Sequence, residues 1–151
     1  MGGFSEMNMT IRRAMISDAE PIYELCVTEL GYHYSKDQVT ANVRRLIGDP
    51  TNLILVAEQS GEVAGFIHAH NHDPIYAPPM KNVVAMAVRS DHQKQGLGHM
   101  LIEAVENWAL EEGACAVRLN SGEHMDEALH FYKSIGYEYI KTQYNFRKML
   151  K

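Results

Sequence analysis

Apolar positions along the chain recur with two periods, and the switches between them mark out its elements. Thr10, Ile11, Arg12, Arg13 and Ala14 read as a first strand. Ile22, Leu25, Cys26 and Leu30 then fall at helical spacing up to Gly31, and Val39, Val43, Leu46 and Ile47 share one face of a second helix. Ser17-Asp18-Ala19-Glu20 has the Ser-x-x-Glu form of a capping box for the first helix, Ser35-Lys36-Asp37-Gln38 caps the second, and Gly48-Asp49-Pro50 stops it. Residues 53–58 and 62–70 predict a hairpin around Gln59-Ser60-Gly61, followed by an irregular stretch, residues 71–81, that contains three prolines. Val83 to Val88 is a buried strand by composition, after which Leu97, Leu101, Ala104, Val105 and Trp108 return to helical spacing as far as Gly113. A strand over 115–119, a helix over 128–137 and two last strands, 137–141 and 143–149, complete the chain. The final strand alternates Tyr144, Phe146 and Lys148 against Asn145, Arg147 and Met149. The order β-α-α-β-β-β-α-β-α-β-β gives a mixed α/β sheet.

The chemistry concentrates where the buried strand passes into the long helix, at Gln93-Lys94-Gln95-Gly96-Leu97-Gly98-His99-Met100. A glycine-rich turn opening a helix leaves several backbone N–H groups without intrahelical partners, at the end where the helix dipole is positive. That is an anion site suited to phosphate. The dinucleotide pattern G-x-G-x-x-G is absent, because Leu101 stands at its third glycine, and there is no Gly-Lys-Ser/Thr for a triphosphate loop.

The shorter pattern Gln93-x-x-Gly96-x-Gly98 resembles the pyrophosphate-binding loop of the GCN5-related N-acetyltransferases. Downstream, Ala128-Leu129-His130-Phe131-Tyr132-Lys133-Ser134-Ile135-Gly136-Tyr137 is similar to the same family's A-x-x-F-Y-x-x-x-G-F/Y helix. The resemblance runs from Met9 to Lys151 and implies a mixed, mostly antiparallel sheet of six to seven strands, flanked by about four helices in three layers. It implies acetyl-CoA as cosubstrate, with no metal. The diphosphate would lie against Gln93, Lys94, Gln95, Gly96, Leu97, Gly98 and His99, and the pantetheine arm would pair with Met86, Ala87 and Val88 as a false extra strand. Tyr132 is implied as the general acid that protonates the departing thiolate, its phenol pKa near ~10 lying close to a thiol's ~8.5. A backbone N–H near Val88 would meet the oxyanion. Many relatives place a glutamate on the strand before the loop, whereas this chain offers only apolar residues from Val83 to Val88.

A base must then be sought elsewhere. Phe66, His68, His70 and His72 alternate along the preceding strand and share a face, so His68 or His70 is a candidate to take a proton through water; water relays without a dedicated base are the alternative. Tyr32, His33, Asn120 and His124 are candidates for holding the acceptor amine. Three histidines at period two also suit a metal centre, although same-face Cα atoms roughly 6.6 Å apart let only neighbouring pairs chelate easily. The rival from a third class is a domain that binds acetyl-CoA as a sensor or interaction module without turnover.

Composition narrows the setting. The 151 residues are 46% hydrophobic, enough for one compact domain over residues 9–151 with a core of its own. Residues 1–8 are expected to be disordered or foreign to the native start. With 14 basic against 19 acidic side chains the formal charge is −5, which gives no basic stripe for nucleic acid and would suit a cationic amine, whether a small molecule or a protein amine. No apolar run reaches ~18 residues and no leader is evident, so a cytoplasmic protein without membrane contact is expected, with Cys26 and Cys115 as two buried thiols. The acceptor would be selected by residues 31–36 and by the loop 73–81. Its apolar Ile75, Tyr76 and Met80 are read alternatively as a contact in a homodimer.

Overall fold

Ser60 and Gly61 both adopt positive φ, 53° and 82°, the geometry of a two-residue hairpin turn whose twist matches that of the strands it joins. From that turn the sheet extends outwards. The computed structural model describes residues 9–92, 96–122 and 126–151, which divide between Asn120 and Ser121 into two units. The first holds β1 (Met9–Arg13), α1 (Ala19–Thr28), α2 (Lys36–Ile47), β2 (Asn52–Gln59), β3 (Glu62–His72), β4 (Met80–Val88), α3 (Leu97–Glu111) and β5 (Val117–Leu119). The second holds α4 (Asp126–Ser134). Strand order is β1-β2-β3-β4-β5, antiparallel except for the parallel pair β4 and β5.

Alternation along the strands builds three layers in the first unit. Ile54, Val56 and Phe66 turn to the face covered by α1 and α2, where they join Ile22, Leu25 and Val43. Leu53, Leu55 and Ile67 turn the other way and are buried, as are Leu97, Leu101, Ile102 and Val105 of α3, which packs along β1 to β4. The expected apolar stripe of α3 is therefore its sheet-facing side, and Gly113, at φ 73°, closes the helix as expected.

Among the described residues the sheet has five strands rather than six or seven. Residues 137–141 and 143–149 form no ladder, and every residue from 138 to 151 is exposed, with Tyr144 and Phe146 each at 91%. An alternating pattern makes a segment fit for a sheet, but a strand's hydrogen bonds come from a neighbour, and here none is paired with it. The proline-containing loop is also shorter than expected. His72 pairs with Met80 and Asn71 with Lys81. Lys81 is buried, its Nζ donating to Asn71 Oδ1 (2.6 Å) and Glu112 Oε1 (2.7 Å) and lying 3.9 Å from the Trp108 ring centre. Cys26 is half-buried but Cys115 is exposed, and both are free thiols. Among the described residues no helix is long and apolar enough to cross a membrane.

Ser35 caps α2 as expected, accepting from the Gln38 N–H at 3.2 Å. Ser17 and Glu20 do not form their box. Asp18 takes the place instead, its carboxylate accepting from the Met15 N–H (2.7 Å) and from both terminal nitrogens of Arg12 (2.7 and 2.9 Å). A side chain that satisfies a strand-end arginine and a free amide together outcompetes a lone hydroxyl. Burial alone would raise the Asp18 pKa, but the Arg12 and Met15 hydrogen bonds outweigh it and hold the carboxyl below its usual range. A depressed folded-state pKa adds stability that is present above the unfolded value near ~3.9 and is lost as pH falls through the folded one. Asp18→Ala is expected to cost about 1–3 kcal/mol at pH 7, because it removes the acceptor of the Met15 N–H and leaves Arg12 with Glu58 as its remaining carboxylate partner. The deficit relative to the parent should shrink below pH ~4, which thermal melts across pH would show.

Candidate functional site

Gly96 carries φ 84° at the N-cap of α3, a left-handed conformation that glycine adopts without strain, and the Met100 N–H closes the first helical bond onto its carbonyl at 3.0 Å. No side chain caps this end among the described residues. The first-turn N–H groups of Leu97, Gly98 and His99 consequently have no intrahelical acceptor. The Leu97 side chain is 1% exposed and belongs to the core, so only its main chain can serve a ligand. His99 is exposed, 3.9 Å from Glu103 on the next turn. Gln93, Lys94 and Gln95, which were expected to complete the turn, lie outside the described residues. The approach to them is fixed from the sheet. The Arg89 N–H donates to the Ala64 carbonyl at 2.8 Å, and His92 Nδ1 bonds Gln59 Oε1 at the end of β2.

The strand before the turn is paired unevenly on its two sides. β4 pairs with β5 only at Lys81, Asn82 and Val83, whereas its pairing with β3 continues to Gly65↔Val88. Val84 is the extra residue of a bulge where the register slips beside His68 and Ala69. With Arg89 bonded to Ala64, antiparallel alternation turns the main chain of Ala87 to β3 and that of Met86 and Val88 to the other edge. Gly65 lets β3 and β4 approach closely here, since a Cβ there would stand 2.9 Å from the Ala87 carbonyl oxygen and 3.2 Å from Val88 Cγ2. Sequence reasoning missed Gly65, although a glycine within a strand is itself a sign of close backbone approach.

A cleft of about 630 Å³ opens between α1, α2 and the sheet, with Cys26, Tyr32, His33, Tyr34, Phe66 and His68 in its wall. It brings Tyr32 and His33, two of the expected acceptor-holding groups, together with His68, expected as a base. Tyr34 and Phe66 join them, Tyr34 unforeseen because it lies in a connection without periodicity. His68 Nε2 donates to Asn52 Oδ1 at 2.7 Å, leaving Nδ1 with the lone pair. Burial, helped by the charge of His70, pushes His68 down to about 4. It is therefore neutral at pH 7 and a weak base. His70 stands edge-on, with 6.3 Å between ring centres, and its Nδ1 bonds the Asn71 carbonyl at 2.9 Å; it does not line the cleft. Asn120 accepts from Arg118 at 3.4 Å and does not line the cleft either. His124 lies outside the described residues. No group of three or more metal-ligating side chains occurs among the described residues. Ile75 and Tyr76 are almost fully exposed, while Met80 is half-buried in β4.

Tyr132 belongs to the second unit, on α4. Its ring is half-buried, set edgewise to Phe131 (5.3 Å between centres) and Tyr137 (6.0 Å), and burial pushes its phenol pKa up. Gly136, at φ 100°, turns the chain so that the Tyr137 N–H returns to the Tyr132 carbonyl at 3.0 Å.

Comparison with known proteins covers nearly the whole of this arrangement. The family model described as the acetyltransferase (GNAT) family matches residues 15–137. An uncharacterized N-acetyltransferase of Chlorobaculum tepidum is 26% identical over 137 residues, 89% of this chain and 78% of the relative. Among solved structures, an aminoglycoside N-acetyltransferase in complex with CoA superposes with TM-score 0.84 at 19% identity, covering 93% of this chain and 94% of that one. A transcriptional regulator from Bacillus halodurans C-125 also gives TM-score 0.84 at 19% identity, covering 93% and 99%.

Proposed function

The chain belongs to the acetyltransferase (GNAT) family and is an N-acetyltransferase by that membership; on that premise we propose that it moves an acetyl group from acetyl-CoA to a primary amine by direct attack in a ternary complex. The observation that carries this reading is the uncapped N-terminus of α3 behind Gly96, next in the chain to a strand, β4, whose pairing with β5 stops at Val83. First-turn amides of α3 would bind the diphosphate, and the edge of β4 from Met86 to Val88 would hold the pantetheine arm. The CoA complex of a structural neighbour supports this choice of cosubstrate. Acetylated amines in that neighbour's class support a small-molecule acceptor.

The amine lone pair attacks the thioester carbonyl carbon, the C–S bond breaks, and the amide and free thiol form. One proton leaves nitrogen and one reaches sulfur. Tyr132 is the proposed donor to sulfur. The oxyanion is assigned to main-chain N–H groups at the end of β4. His68, neutral and weakly basic, is better suited to accept a hydrogen bond from an uncharged amine than to deprotonate an ammonium, so the proton lost from nitrogen is assigned to water, with His70 the remaining side-chain candidate.

Two measurements test the reading. Calorimetry should detect uptake of coenzyme A by the folded protein, and thiol release from acetyl-CoA should require an amine. Initial-rate plots against both substrates should intersect. Parallel lines would replace direct attack with an acetyl-enzyme, and no uptake of coenzyme A would end the proposal.

A further inference from the structure

The cleft beside β3 differs in chemistry from the surface of the chain as a whole. The protein has a surplus of acidic side chains, yet among the described residues no carboxylate lines this cleft. Its floor is aliphatic, formed by Ile22, Val43 and Ile54, which are each less than 10% exposed. Its upper wall is aromatic: Phe66 is 4% exposed, while Tyr32 and Tyr34 stand open to solvent at 64% and 51%. Those two rings come from the connection between α1 and α2, just past the positive-φ Gly31 whose neighbour Tyr32 bonds back to the Cys26 carbonyl at 2.9 Å.

From this lining, and resting on the acetyltransferase reading above, we infer that the acceptor is a monoamine carrying a flat aromatic or branched apolar group, and not a polyamine or an aminoglycoside. Two physical arguments lead there. A ligand with several ammonium groups would bring charges against a described lining that offers no carboxylate, and a buried charge without a partner is strongly disfavoured. The lowered pKa of His68 reports the same penalty, since burial there already works against a cation. An arylalkylamine loses far less. Its ring gains apolar contact with Phe66 and edge or stacked contact with Tyr32 and Tyr34. Its single nitrogen enters as the neutral amine that attack on a thioester requires.

Specificity in such a pocket is set by what fits and by what is left unpaired. The test uses the whole chain loaded with coenzyme A, with calorimetry for amine binding and thiol release for turnover. The probes are 2-phenylethylamine, spermidine and kanamycin. The expected result is that 2-phenylethylamine binds the loaded protein and is acetylated with kcat/KM at least about 10-fold above either polycation. Because Tyr32 and Tyr34 are exposed, Tyr32→Ala and Tyr34→Ala should fold, and each should raise the KM for 2-phenylethylamine without altering that for acetyl-CoA. Tyr34→Glu should move the preference the other way, towards spermidine. Preference of the unaltered protein for spermidine or kanamycin overturns the inference while leaving acetyl transfer intact, and so does uptake of coenzyme A with no binding of 2-phenylethylamine. Absence of coenzyme A uptake together with absence of thiol release overturns the acetyltransferase reading itself.

Discussion

Gly98→Asp is expected to lower the affinity for coenzyme A by at least about 100-fold while the protein stays folded. Position 98 is in the first turn of α3, two residues past the left-handed Gly96, where main-chain N–H groups are proposed to hold the diphosphate. A carboxylate placed about 5 Å from each phosphate at an effective dielectric near 20 costs about 3 kcal/mol per unit charge, which exceeds the ~2.7 kcal/mol equivalent of a 100-fold loss. The same substitution does not threaten the helix. An acidic residue in the first turn opposes no part of the dipole and adds about 0.3–1 kcal/mol of favourable interaction. Affinity and melting temperature should therefore move independently. Calorimetry with coenzyme A beside a thermal melt measures both, and unchanged affinity would remove this helix end from the cofactor site. Gly98→Ala separates charge from bulk, since it adds a methyl group without the carboxylate.

Most of the first unit could be read from periodicity because its elements are amphipathic in the simplest sense. Leu97, Leu101, Val105 and Trp108 mark one face of α3, and that face is buried. The hairpin turn at Gly61 and the stop at Gly113 follow from positive-φ conformations that glycine adopts without strain. What escaped the sequence depends on distant partners. Lys81 sits among prolines and reads as loop, yet it is buried because Asn71, Trp108 and Glu112 converge on its ammonium from β3 and α3. Asp18 replaced the expected cap because Arg12, on a strand, could reach it. The strands expected over 137–149 failed for the opposite reason, since their pattern is sound but no ladder partner is provided. In the candidate site, the glycine turn and His68 were foreseeable from spacing. Tyr32 and Phe66 were also named from the sequence, but Tyr34 and the wall that joins the three rings were not, because a cleft exists only once α1 and α2 are laid on the sheet.

Tyr132→Phe is expected to reduce turnover by about 100-fold or more, the usual scale for loss of a positioned proton donor, with little change in coenzyme A affinity. At reference values the phenol is about 1.5 units less acidic than a thiol, so protonating a free thiolate from it is uphill by about 2 kcal/mol. Burial raises the phenol further, which makes full transfer less favourable and keeps the hydroxyl protonated throughout the working range. Its contribution is then a hydrogen bond that strengthens as charge gathers on sulfur, worth most in the transition state and little in the ground state. The signature is a fall in kcat with KM for acetyl-CoA nearly unchanged. Because burial raises the phenol from its ordinary value, ionisation of Tyr132 should not bend the parent's pH profile in the neutral range. Phenylalanine preserves the edgewise contacts with Phe131 and Tyr137, so a purely structural tyrosine predicts unchanged turnover and an unchanged melting temperature. Equal kcat in the two proteins would take Tyr132 out of the reaction and leave thiolate protonation to water.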